Sequence, residues 1–155
     1  MIDTAVLRKL DLFENLDAIA LAHLSSIGEE FEFGKNHVLF EEGDDGSHIF
    51  VILSGKVRVS KIVPGIGEEA LAILPPGSYF GEMEFVDRDL DRAARVVVHE
   101  RVELIGFGYE ALDALFNSDL QVALAFHMSL TRTLARRLRA TNDKVTAMFA
   151  MAQFG

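Results

Sequence analysis

The sequence predicts a mainly β fold flanked by helices, and three observations carry that reading. Apolar residues recur at helical spacing near both ends of the chain. Between those ends the period shortens to two. Turn residues punctuate this middle stretch about every eight to twelve residues. The element order is short helix, barrel-like β body, long helix.

Residues 4–27 predict helix, because Leu7, Leu10, Phe13, Leu16, Ile19, Leu24 and Ile27 step by threes and fours. Residues 31–107 hold short alternating runs, among them Ile49-Phe50-Val51-Ile52-Leu53 and Lys56-Val57-Arg58-Val59-Ser60. Gly34, Gly43, Asp44-Asp45-Gly46, Gly55, Pro64-Gly65, Gly67, Pro75-Pro76-Gly77 and Gly81 separate them. Strands so punctuated predict a closed or rolled antiparallel sheet, and periodicity leaves jelly roll, barrel and β-roll open. After Phe107 the helical period returns, through Tyr109–Phe116 and then a long segment from 118 to 148. Asn117-Ser118-Asp119 supplies cap candidates at that restart, and no proline interrupts the long segment. With 155 residues there is room for one domain with one core. Its expected parts are N-terminal helices over 1–28, the β body over 29–107 and C-terminal helices over 108–150.

The long helix carries a seam. Leu134, Leu138, Thr141, Val145, Met148 and Ala152 step by four and three in alternation, a coiled-coil register. Such a stripe either packs on the chain's own β body or pairs with a second copy in a parallel homodimer. Thr141 is the odd member, a polar residue among apolar ones. A polar seam residue costs stability, so it sets register or touches something else.

Charge and composition exclude several function classes. Fifteen Lys and Arg against 24 Asp and Glu give a net charge of −9. A body this acidic disfavours direct nucleic-acid binding and adhesion to anionic membranes. The charge is uneven: residues 120–155 hold five bases and one acid, and the rest of the chain carries −13. Cysteine is absent, so disulfides, thiol catalysis and thiolate metal sites are excluded. The N-terminus lacks the layout of a signal peptide, and no apolar run approaches membrane-spanning length. A cytoplasmic protein is expected. His23, His37, His48, His99 and His127 are dispersed, which argues against a cupin-type metalloenzyme and its convergent ligands. No GxSxG nucleophile motif occurs. No enzyme activity, metal or cofactor is expected.

The chemistry gathers in Gly77-Ser78-Tyr79-Phe80-Gly81-Glu82-Met83 and, ten residues after Glu82, Arg92-Ala93-Ala94. Glycines 77 and 81 let backbone approach a ligand, and a short helix starting near Gly81 aims free N–H groups at an anion. Arg92 offers a planar fork for phosphate oxygens, and small Ala93 leaves its own N–H unobstructed. A carboxylate such as Glu82 belongs beside a phosphate only as an acceptor, for instance from a ribose hydroxyl. Together these groups suit a sugar-phosphate.

The ordered set Gly43, Gly55, Gly77, Phe80-Gly81-Glu82 and Arg92-Ala93-Ala94 resembles the cyclic nucleotide-binding domain, most closely the catabolite activator protein (Crp/Fnr-like) branch. The resemblance covers residues 7–148, and Ala135-Arg136-Arg137-Leu138 with Thr141 and Lys144-Val145 is similar to that branch's dimer helix. It implies a β-roll (a double-stranded β-helix or jelly roll) with N-terminal helices and a long C-terminal dimerisation helix. It implies that Glu82 accepts the ribose 2′-hydroxyl, that Arg92 holds the cyclic phosphate, and that the backbone of Ala93, Gly81 and Met83 lies close by. Val59, Leu71 and Leu74 match apolar pocket walls. Arg137, Thr141 and Asn142 match positions that reach the purine, the Thr commonly from the partner subunit. The implied ligand is cAMP, with cGMP the alternative.

The chain also departs from the pattern. Asp91 stands where the family usually has Pro, Glu84 replaces a small residue, Arg95 stands where many members carry Thr or Ser, and Asn36 replaces a turn glycine. Five acids between 82 and 91 face Arg88 alone, within about one Debye length (~8 Å) of the expected phosphate. Arg88 and Arg95 offset that charge if they point inward. A competing reading pairs Glu82 with Arg92 and leaves the pocket without a ligand.

The resulting expectation is a non-enzymatic cyclic nucleotide sensor, homodimeric through residues 118–148. Its rivals are a degenerate dimerisation or docking module for an unidentified protein, and the sensor half of a Crp-like transcription regulator. Only seven residues follow Met148, so no helix-turn-helix is expected within the chain.

Overall fold

The structure, a computed structural model, describes residues 1–154. The helical stretch expected over 4–27 is divided into α1 (Thr4–Leu7), a 3-10 turn (Asp11–Phe13) and α2 (Ala18–Ile27). Packing explains the break. On a straight helix Leu7 and Leu12 would point roughly 140° apart. Bending the chain buries both completely, together with Phe13. Asp3 caps α1 and Asp17 restarts the helix as α2, accepting bonds from Ala5 N and Ala20 N, each at 2.8 Å.

Six antiparallel strands come next: β1 (Gly28–Phe33), β2 (Val38–Phe40), β3 (His48–Val63), β4 (Gly67–Leu74), β5 (Tyr79–Phe80) and β6 (Arg95–Gly108). The sheet order is β1-β6-β3-β4, with β2 added on β6 and β5 on β3. The two long strands pair from His48↔Gly108 to Ser60↔Arg95, with register shifts between Ile52 and Val57 that bend them into a roll. Gly55 sits in the bend at φ +77, and a Cβ there would collide with the Arg101 carbonyl oxygen. Asn36, in place of the usual turn glycine, takes φ 72, a left-handed conformation Asn tolerates.

A single helical turn, α3 (Met83–Val86), interrupts the strands between β5 and β6. α4 (Tyr109–Ser118) and α5 (Leu120–Gln153) complete the chain. Asp119 caps α5, its carboxylate accepting from Gln121 N and Val122 N, both at 3.1 Å. α5 runs five residues beyond the expected end at 148.

The core has two parts. Inside the roll, Ile52, Val57, Phe80, Val96, Val98, Val102 and Leu104 pack together. Outside it, α1, α2, α4 and the first half of α5 pack over Ile49, Val51, Ile105 and Phe107. Of the predicted seam, Leu134 packs on this second cluster. Leu138, Val145 and Met148 are 63%, 45% and 68% exposed. Among the described residues no helix is long and apolar enough to cross a membrane.

Candidate functional site

A cavity of about 390 Å³ opens between the roll and α5. One wall is apolar, with Val59 from β3, Leu71, Ala72 and Leu74 from β4, and Phe40, Phe80 and Val96. The Gly81–Glu84 segment and Ala93-Ala94 form its floor, and Arg137, Ala140, Thr141 and Lys144 of α5 close it. Nine predicted residues thus share one cavity: Val59, Leu71, Leu74, Gly81, Glu82, Met83, Ala93, Arg137 and Thr141.

The other two do not line it. Asn142 is exposed on α5 beside Thr141. Arg92 is buried behind the floor, 3% exposed, against the expectation of a guanidinium open to the cavity. The reason is its partner: Arg92 Nη1 donates to Glu84 Oε2 at 2.9 Å. Nη1 also reaches Tyr109 Oη at 3.1 Å, and Nη2 donates to the His48 carbonyl at 3.1 Å. The Phe40 ring lies against the guanidinium, 4.0 Å from centroid to carbon. Gly81 makes this nesting possible. At φ +87, a Cβ there would stand 2.5 Å from the His48 oxygen and 2.8 Å from Arg92 Nη1.

Glu82 pairs with a different arginine. Arg137 Nη1 donates to Glu82 Oε1 at 2.5 Å, and Nη2 donates to the Tyr79 carbonyl at 2.7 Å. The guanidinium also stacks over the Tyr79 ring at 4.8 Å. A direct Glu82–Arg92 pair is therefore absent, and each residue has found another partner. Burial pushes the Glu82 carboxyl above its ordinary value, with the Arg137 charge opposing the shift.

Arg88 and Arg95 do not turn inward. Arg88 bonds Asp113 at 2.8 Å and stacks on Tyr109 and Phe85. Arg95 bridges Glu41 and Glu68 at 3.1 and 3.2 Å. Lys144 lines the cavity and makes no ion pair among the described residues.

Sequence reasoning missed Tyr109. Burial pushes its hydroxyl up to about 12, so it stays a neutral donor, and it bonds the Gly81 carbonyl at 2.5 Å. It thereby ties the first residue of α4 to the Gly81 loop and to Arg92. No local pattern announces an aromatic 17 residues beyond its arginine. Glu84 was visible as a departure, but its role as Arg92's partner was not. No cluster of three or more potential metal ligands occurs among the described residues.

Residues 30–119 match the cyclic nucleotide-binding domain family. A CRP-like cAMP-activated global transcriptional regulator of Mycobacterium tuberculosis is 28% identical over 140 residues, which is 90% of this chain and 60% of that protein. The chain therefore spans less than two thirds of that relative's length. The crystal structure of the N-terminal domain of a transcriptional regulator from Streptomyces coelicolor is 33% identical, with a TM-score of 0.72, over 89% of this chain and 95% of that one. The Thermus thermophilus catabolite activator protein is 30% identical, with a TM-score of 0.75, over 89% of this chain and 62% of that one.

Proposed function

The chain belongs to the cyclic nucleotide-binding domain family, and on that premise we propose that it is a cyclic nucleotide sensor, with cAMP its ligand, working as a homodimer through α5. The observation that carries this reading is the cavity itself. Glu82, the Gly81–Met83 backbone, Ala93 and Thr141 line one space of about 390 Å³, and Arg137 reaches from α5 to bond Glu82 at its edge. In this reading Glu82 accepts the ribose 2′-hydroxyl, Arg92 holds the cyclic phosphate, and Val59, Leu71 and Leu74 cover the apolar parts of the ligand. Arg137 and Thr141 approach the purine, and Asn142, outside the cavity of its own chain, serves a second copy. Thr141 favours cAMP over cGMP.

The exposed stripe Leu138, Val145 and Met148 supports pairing of two α5 helices. Because α5 is both cavity wall and pairing surface, occupancy would bias the dimer arrangement, given different affinities for its two forms. The protein is read as cytoplasmic, non-enzymatic and a single domain over 1–155. Its relationship to the M. tuberculosis regulator also supports a sensor half of a transcription factor.

A second reading, a ligand-free docking or dimerisation module, is favoured by one observation: both carboxylates of the site are already paired with its arginines. Isothermal titration with cAMP and then cGMP tests the two. One site per chain at micromolar affinity, about −8 kcal/mol, establishes the sensor. No heat and no thermal shift at millimolar ligand excludes the sensor and leaves the ligand-free module.

A further inference from the structure

Glu84 stands between the cavity and Arg92. It lines the cavity, whereas Arg92 does not. Both are buried, at 5% and 3% exposure. The fork that a phosphate would take is filled: Nη1 holds Glu84 and Tyr109, Nη2 holds the His48 carbonyl, and Nε alone has no partner. An anion entering over Ala93 therefore meets a carboxylate before it can meet the guanidinium.

A cyclic phosphodiester carries one negative charge, the same as ionised Glu84, and both seek the same donors. Held side by side in a water-poor pocket they repel, so one must yield the arginine to the other. We infer that Glu84 sets the affinity of this site by competing with the cyclic phosphate for Arg92. The inference rests on the cyclic nucleotide reading. Glu84 acts as a resident anion, and ligand binding is an exchange rather than an addition. The cost falls on the phosphate alone. A ligand with the same base and ribose but no phosphate does not meet it.

The test is titration of cAMP and of adenosine into the wild type, Glu84→Gln and Glu84→Ala, with thermal melts confirming that each is folded. The near-isosteric Gln variant carries the test if the Ala variant does not fold. The expected result is cAMP affinity raised tenfold or more in the variants, with adenosine affinity unchanged. Equal or weaker cAMP binding by the variants overturns the inference and leaves the cyclic nucleotide reading standing. A matching gain for adenosine also overturns it, because pocket shape rather than charge would then be responsible. Failure of all three proteins to bind cAMP at millimolar concentration removes the cyclic nucleotide reading and the inference together.

Discussion

The two ion pairs of the site are made of the same side chains and behave as different devices. Arg92–Glu84 is closed: both partners are buried, and the arginine is also held by Tyr109, His48 and Phe40. Arg137–Glu82 is a pair at the cavity wall, with Glu82 buried and Arg137 38% exposed on α5. The first belongs to the body of the fold. The second joins that body to a helix whose far half is exposed on this chain. A buried pair loses heavily when one partner is removed, while solvent screens much of the loss at a half-exposed one.

The largest effect that would sharpen this contrast is removal of Arg92. Arg92→Met strands Glu84 in the interior and should cost about 3–5 kcal/mol. On the proposed function it should also abolish cAMP binding and leave the proposed α5 dimer assembled. Urea denaturation, titration and sedimentation read these three outcomes. Arg92→Met combined with Glu84→Leu should recover most of the stability and none of the binding. A double variant no more stable than the single would break the comparison.

Arg137→Met comes next, at about 1–2 kcal/mol, since solvent and local relaxation screen Glu82 once α5 is released. cAMP affinity should fall about tenfold, roughly 1.4 kcal/mol. A stability loss equal to that of Arg92→Met would show that the two pairs are alike after all.

Glu82→Gln probes pH. Burial raises the folded-state value of Glu82 above the ordinary 4.5, so folding favours its protonated form. Glu82 therefore contributes stability below about pH 4.5 that is lost as pH rises through its raised folded value. Denaturation midpoints measured from about pH 4 to 7 should show a decline in the wild type that Glu82→Gln flattens. On the proposed function the variant should also bind cAMP more weakly, having lost charge at the proposed ribose acceptor. The smallest effect is expected for Thr141→Ala. It should lower cAMP affinity a fewfold and narrow the proposed preference over cGMP, with stability unchanged.

The fold was legible wherever it rests on local periodicity. The three-four spacing of α4 and α5, the Asp119 cap and the extended run of β3 all appear in the structure, although Val51 and Ile52 are both buried because the roll is covered on both faces. The break after α1 was not legible, because it arises from burying Leu7 and Leu12 in one core, which no local period encodes. The cavity lining was legible through the family pattern, since nine named positions meet there. The ion pairing was not. Arg137 finds Glu82 across 55 residues, and Glu84 meets Arg92 across eight, where Gly81 leaves the guanidinium room to nest.

The length of α5 has a mechanical consequence. Its 34 residues span about 51 Å, and Arg137, its grip on the cavity floor, lies near the middle. From that fulcrum to Gln153 the helix extends roughly 24 Å. Pivoting about Arg137 by about 10° would carry its tip some 4 Å sideways by lever geometry alone, while the helix at the cavity barely shifts. A rigid rod clamped at mid-length magnifies, at its far end, whatever happens where it is held.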